Sequence, residues 1–225
     1  MAQPPGKKSF TAKHLDPPSR LGEILFGLIM VLSATLTAGL TVAEGKPGVR
    51  QLLHSALGCN IAWGIIDGIM YVMNCVTERS GRARLIEGIR NATDPDAALG
   101  LIRSELEPEL ETLTRPEDRE AVYESILKHL DHARVVETKV TKEDCYGAIA
   151  CFWLVFISCL PAAAPFLIFE QPRLALRVSN FLLIAMLFLV GQKWAQYAKT
   201  NRPLAGLAMV VIGLALVGIA VSLGG

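Results

Sequence analysis

Five stretches of the chain, 21–43, 51–76, 146–169, 174–194 and 203–223, are each apolar and long enough to cross a bilayer. A spanning helix needs about 20 mostly apolar residues. In hydrocarbon every backbone N–H and C=O must be bonded within the protein, which leaves such a chain little choice but a bundle of helices. The expected fold is all-α: a polytopic membrane protein with five transmembrane helices and a helical cytoplasmic insert between helices 2 and 3. Composition agrees, since 52% of the 225 residues are hydrophobic. The charges crowd the N-terminus and residues 78–144 and nearly vacate the rest. The first run lacks a small-residue cleavage site and is too long for a signal-peptide core, so it reads as a retained span.

Lysine and arginine set the expected orientation. With the N-terminus inside, that side carries Lys7, Lys8, Lys13, Arg20, all Lys and Arg of 77–142, Lys193, Lys199 and Arg202. The opposite side holds Lys46, Arg50, Arg173 and Arg177. Eighteen against four is a strong positive-inside bias. The N-terminus and residues 77–144 are therefore expected in the cytoplasm and the C-terminus outside. A net charge of +1 gives no reason to expect a nucleic-acid partner.

The chain divides into a polar tail (1–20), spans one and two (21–76), the insert (77–144) and spans three to five (145–225). The tail reads as flexible or lying on the lipid surface, with Lys7, Lys8, Lys13 and His14 able to touch anionic lipid. Helix two is expected to run on to Arg90. Asp94-Pro95-Asp96 reads as an N-cap, a proline at the first helical position and an acid in the first turn. Thr114-Arg115-Pro116-Glu117 has capping-box spacing, and the helix after it is expected to feed into span three through Val136 and Val140. Pro161 and Pro165 open backbone carbonyls in span three. Gly206, Gly213 and Ala220 give span five a small face, and Gly64 with Gly68 matches GxxxG.

Asp67 lies in the middle of span two, where an ionisable side chain costs roughly 2.5–3.5 kcal/mol on insertion scales. Asn60, Gly64, Asp67, Tyr71 and Asn74 are spaced to share one helical face, with Met70 and Met73 beside it. A carboxylate, two amides and nearby thioethers suit a path for a small cation. The bland alternative is an interhelical hydrogen-bond clamp. Glu23, at the start of span one, is either an acid favoured by the helix dipole or the inner mouth of a metal pathway.

In the insert, Glu105/Glu109, Glu107/Glu111 and Glu120/Glu124 are i,i+4 pairs that could hold a divalent ion or simply face solvent. His129 and His132 are an i,i+3 pair with the same two readings. Cys59, Cys75, Cys145, Cys151 and Cys159 lie in or at the edges of spans without a CxxC pair, which reads as small apolar filling rather than disulfides or zinc. There is no GxSxG, Walker A or HExxH motif, so nothing points to an enzyme or an ATP-driven pump.

The pattern resembles the vacuolar iron transporter family. The stretch Glu23-Ile24-Leu25-Phe26-Gly27 is similar to that family's first-span opening. Leu160-Pro161-Ala162-Ala163-Ala164-Pro165-Phe166-Leu167 is similar to its third-span proline pair. Leu207-Ala208-Met209-Val210-Val211-Ile212-Gly213, continuing to Gly224, is similar to its fifth span. The family carries an aspartate three residues after the first-span glycine, where this chain has Met30.

The resemblance implies a homodimeric transporter exporting Fe²⁺, or Mn²⁺, from the cytoplasm by proton antiport. Glu78, Glu87, Glu105, Glu109, Glu120 and Glu124 would collect the metal. Glu23, Met30, Asn60, Asp67, Met70, Met73 and Asn74 would form the path. The expected setting is the inner (plasma) membrane of a bacterium, with membrane lipid and divalent metal ions as partners and no permanently bound cofactor. The rival expectation is a non-transporting scaffold or metal sensor with its interaction module at 78–144, and a weaker one is a transporter of another small solute.

Overall fold

A computed structural model describes residues 9–41, 46–130 and 137–223. Among them are eight helices and no strand: α1 (Phe10–His14), α2 (Pro17–Thr41), α3 (Lys46–Arg90), α4 (Pro95–Leu113), α5 (Pro116–Leu130), α6 (Lys142–Ile168), α7 (Pro172–Ala198) and α8 (Arg202–Ser222). Helices α2, α3, α6, α7 and α8 each contain a segment long and apolar enough to span a membrane. Contacts divide the chain into two compact units, one of residues up to Val72 and from Lys142 onward, the other Met73–Thr141.

In the first unit a core of Leu28, Leu32, Cys159, Leu183, Leu187 and Val217 joins α2, α6, α7 and α8. Its periphery is as apolar as its centre. Leu167 is 86% exposed and Phe181 70%. A soluble protein rarely leaves so wide an apolar surface to water, and here the bilayer covers it. The chain is an integral membrane protein.

Glycines set the closest helix approaches. A Cβ on Gly64 would lie 3.2 Å from the Phe152 carbonyl oxygen, and one on Gly68 would lie 3.0 Å from that of Ala148. The Gly64–Gly68 pattern thus seats α3 backbone to backbone on α6. On α8, Gly206 meets Phe188 and Gly213 meets Leu187, both of α7, while the side chain of Ala220 lies outside the described residues. Helix α6 continues through Pro161 and Pro165, and the nearby carbonyl of Ala162 accepts the Ser179 hydroxyl at 2.9 Å.

Three expectations are corrected. The tail is not wholly loose: residues 10–14 form α1 against α6, and Leu15 is buried beside Ala150 and Cys151. Helix α2 begins at Pro17 because Asp16 caps it, accepting the Ser19 N–H at 3.1 Å and the Ser19 hydroxyl. Those bonds, the hydroxyl's first, hold the Asp16 carboxyl below its ordinary value. Thr114 does not start a capping box. It ends α4, its N–H and hydroxyl both bonding the Leu110 carbonyl, at 2.9 and 2.8 Å. Nor does α5 feed into span three, since residues 137–141 are non-helical and α6 starts at Lys142. Val136 lies outside the described residues. The continuation of helix two to Arg90 and the Asp94 cap, bonded to Ala97 N–H at 2.7 Å, are as expected.

The second unit has its own core of Ile89, Ala98, Ile102 and Tyr123. Tyr123 donates to Glu107 Oε2 at 2.8 Å, and Arg119 donates to Oε1 at 2.7 Å. Both bonds favour the ionised carboxylate, the tyrosine's most, so Glu107 sits below its ordinary value of 4.5. A depressed pKa stabilises the fold at pH above the unfolded value, and that contribution is lost as pH falls through the folded one. Hydrogen exchange across 95–130, corrected for its intrinsic pH dependence, should therefore lose protection as pH drops from about 5 to about 3. The loss should be smaller in Glu107→Gln.

Gly68→Leu should destabilise the first unit by about 1–3 kcal/mol, the usual cost of overpacking, read as a lower Tm in detergent. Gly58→Ala, where an added Cβ meets nothing within 4 Å, should leave Tm unchanged or slightly raised.

Candidate functional site

Three spans of the first unit bring polar side chains to one place. Glu23 on α2 is hydrogen-bonded through its side chain to Asp67 on α3 and to Cys151 on α6. The local sequence explains the meeting. Gly64 and Gly68 flank Asp67 and draw α3 onto α6, so a side chain as short as aspartate reaches the seam. On α6, Gly147 leaves room for the Tyr71 ring one turn from Asp67, and Cys151 follows Gly147 by one turn on the same face. Gly27 likewise brings α2 within contact of Ser158 on α6.

The Glu23 and Asp67 carboxyl groups thus lie side by side between α2 and α3. Asp67 Oδ2 is buried without a hydrogen-bond partner. An unpaired acceptor in an apolar setting costs about 1–3 kcal/mol.

A second polar group lies further along the same helices. Asn60 is fully buried, with Nδ2 donating to the Ala56 carbonyl at 3.2 Å and Oδ1 without a partner. Thr35 donates to Asn180 Oδ1 at 2.7 Å. A small cavity between α2, α3 and α6 is lined by Thr35, Ala56, Leu57, Cys159 and Ala162.

The other expected site residues are dispersed. Met30 is half-buried, on the face of α2 that carries Glu23 and Gly27. Met70 is 53% exposed, and Met73 and Asn74, in the second unit, are exposed as well. Glu78 pairs with Arg82 at 3.8 Å, and Glu120 with Arg103. Glu87, Glu105, Glu109 and Glu124 are exposed. His129 turns Nδ1 to its own Ser125 carbonyl at 2.7 Å, and His132 lies outside the described residues. Among the described residues no three His, Cys, Asp or Glu side chains gather closely enough to hold a metal.

Cys151 is the residue the sequence reading passed over as apolar filling. Its one signal was position, a turn beyond Gly147 in a run of small residues. Thr35 and Asn180 lie among other polar residues of their spans, Ser33 and Thr37 for the one and Ser179 for the other, so neither stands out in the sequence.

If Asp67 serves function rather than packing, its removal should relieve a strain. Asp67→Asn should raise the Tm of the detergent-solubilised protein, reflecting a gain of about 1 kcal/mol. A fall of similar size would mark Asp67 as a structural clamp.

No protein-family model matches the chain, and no curated protein matches it either.

Proposed function

We propose that this protein is a membrane transporter that moves divalent metal, Fe²⁺ first and Mn²⁺ second, out of the cytoplasm in exchange for protons. The single observation that carries the reading is the Glu23–Asp67 contact, two carboxyl groups from different spans meeting inside the bundle with Cys151 beside them. With a proton aboard, the pair carries at most one negative charge and is tolerated among apolar helices. With its protons gone it carries two, which a divalent cation would neutralise. Protonation from the far side would expel the ion. That exchange is antiport in its simplest chemical form.

The choice of metal rests on the family resemblance, as do the homodimer and the bacterial plasma membrane. The positive-inside bias supports a cytoplasmic N-terminus and insert, while the direction of transport rests on the resemblance. Met30 occupies the place of the family's aspartate, and on this reading Asp67, from the neighbouring helix, takes over its work. Asn60 and the Thr35–Asn180 pair would extend the route along α2 and α3.

One observation favours the rival reading of a scaffold or sensor. Glu107 and Glu120 of the insert are engaged by Arg119 and Arg103, which suits a module built to hold its shape rather than to collect ions.

Flux of Fe²⁺ and Mn²⁺ into proteoliposomes, with and without a pH gradient, decides between them. Flux should be accelerated by the gradient. Asp67→Asn should lower it by about a hundredfold or more, the usual loss when a proton-transfer group is removed. Normal flux in that variant removes Asp67 from the mechanism, and absence of flux in the unmodified, folded protein favours the scaffold.

A further inference from the structure

We infer that residues 9–15 are a displaceable plug seated over the Glu23–Asp67–Cys151 site, with Leu15 as its stopper. Leu15 is buried and packs with Ala150, Cys151 and Tyr71. It therefore covers the thiol that bonds Glu23, and it touches the tyrosine one turn from Asp67. The Tyr71 hydroxyl donates to the His14 carbonyl at 3.1 Å, tying the segment to α3.

The remaining holds run through His14 and Phe10. The His14 side chain is largely buried, with Nδ1 3.2 Å from the exposed Glu143 and its ring 4.9 Å from Phe10 and 5.5 Å from Tyr146. Phe10 meets Tyr146 edge-on at 6.3 Å. A helix of five residues has no stability of its own in water, so α1 keeps its place only through such side-chain contacts. A segment held by a handful of side chains opens at lower cost than the spans it rests on.

The chain is also built to let the segment move without unravelling the span behind it. Leu15 has an extended backbone (φ −124°, ψ 136°), which breaks the helix between α1 and α2. Asp16 caps α2 from its own side of that break. Lifting α1 and Leu15 therefore leaves the first turn of α2 satisfied. As an entrance to an ion site the plug rests on the transport reading, but its movement is measurable without any flux.

The test is reaction of the reconstituted, full-length protein with a membrane-impermeant cationic methanethiosulfonate, read at the Cys151 and Cys159 peptides by mass spectrometry. Cys151 should react slowly in the unmodified protein. In Leu15→Ala it should react about tenfold faster or more, since truncating a buried leucine releases that much packing. Phe10→Ala, which leaves the buried stopper in place, should give a smaller increase. Cys159, in the core of the bundle, should stay unreactive throughout. An unchanged Cys151 rate in both variants overturns the plug, and so does equal acceleration at Cys159, which would signal general loosening. Normal flux in Asp67→Asn would remove the transport role and leave this result standing.

Discussion

The near-contact of the α3 and α6 backbones at Gly64 and Gly68 is the constraint on which the site depends. Two missing Cβ atoms let the helices close to within van der Waals distance of a carbonyl oxygen. With side chains there, Asp67 would stand off from Cys151 and Glu23, and an isolated carboxyl would face hydrocarbon. The close approach turns an intolerable group into a partnered one. The same approach seats the Tyr71 ring in the space left by Gly147, so one packing decision fixes both the pair and the residue beside it.

The bundle spends stability where its polar groups meet. Oδ2 of Asp67 and Oδ1 of Asn60 are both buried without partners. Buried acceptors are ordinarily satisfied, so two unpartnered acceptors on one helix stand out among the described residues. Elsewhere in the first unit the buried hydroxyls bond to nearby carbonyls or amides, as Thr35, Ser158 and Ser179 do. The second unit does the reverse of α3: its buried Tyr123 is fully engaged by Glu107, and the Arg103 guanidinium lies 5.9 Å over its ring. One unit is organised around unmet acceptors, the other around met ones.

Much of this was legible in the sequence, because hydropathy over twenty residues is a strong signal and glycine spacing a usable one. The five spans, the run of helix two to Arg90 and the Asp94 cap could be read directly. The same Asp-Pro signature at Asp16-Pro17 marks the start of α2, though the apolar run that signals the span begins only later. Thr114 misled because one side chain can cap the helix before it or the helix after it, and only the backbone path decides. In the site, Asp67 announced itself by the cost of its charge and Glu23 by its position. Cys151 gave only its place a turn beyond Gly147, and that says little because a thiol is as common in apolar filling as in a polar contact. Met70 and Met73 share a helix with Asp67, yet angular nearness did not bring their side chains into the seam.

The order of synthesis gives the Glu23–Asp67 contact a second meaning. Helices α2 and α3 are the least apolar of the five spans, and each carries one of the two acids. They leave the ribosome before α6 exists, so neither carboxyl can yet meet Cys151, and α3 has no glycine-matched groove to enter. Until α6 arrives each acid lodges in lipid without the packing that later partners it, at the cost an intramembrane carboxyl carries. The two spans that are hardest to insert are thus made first, and the third is the one that relieves them.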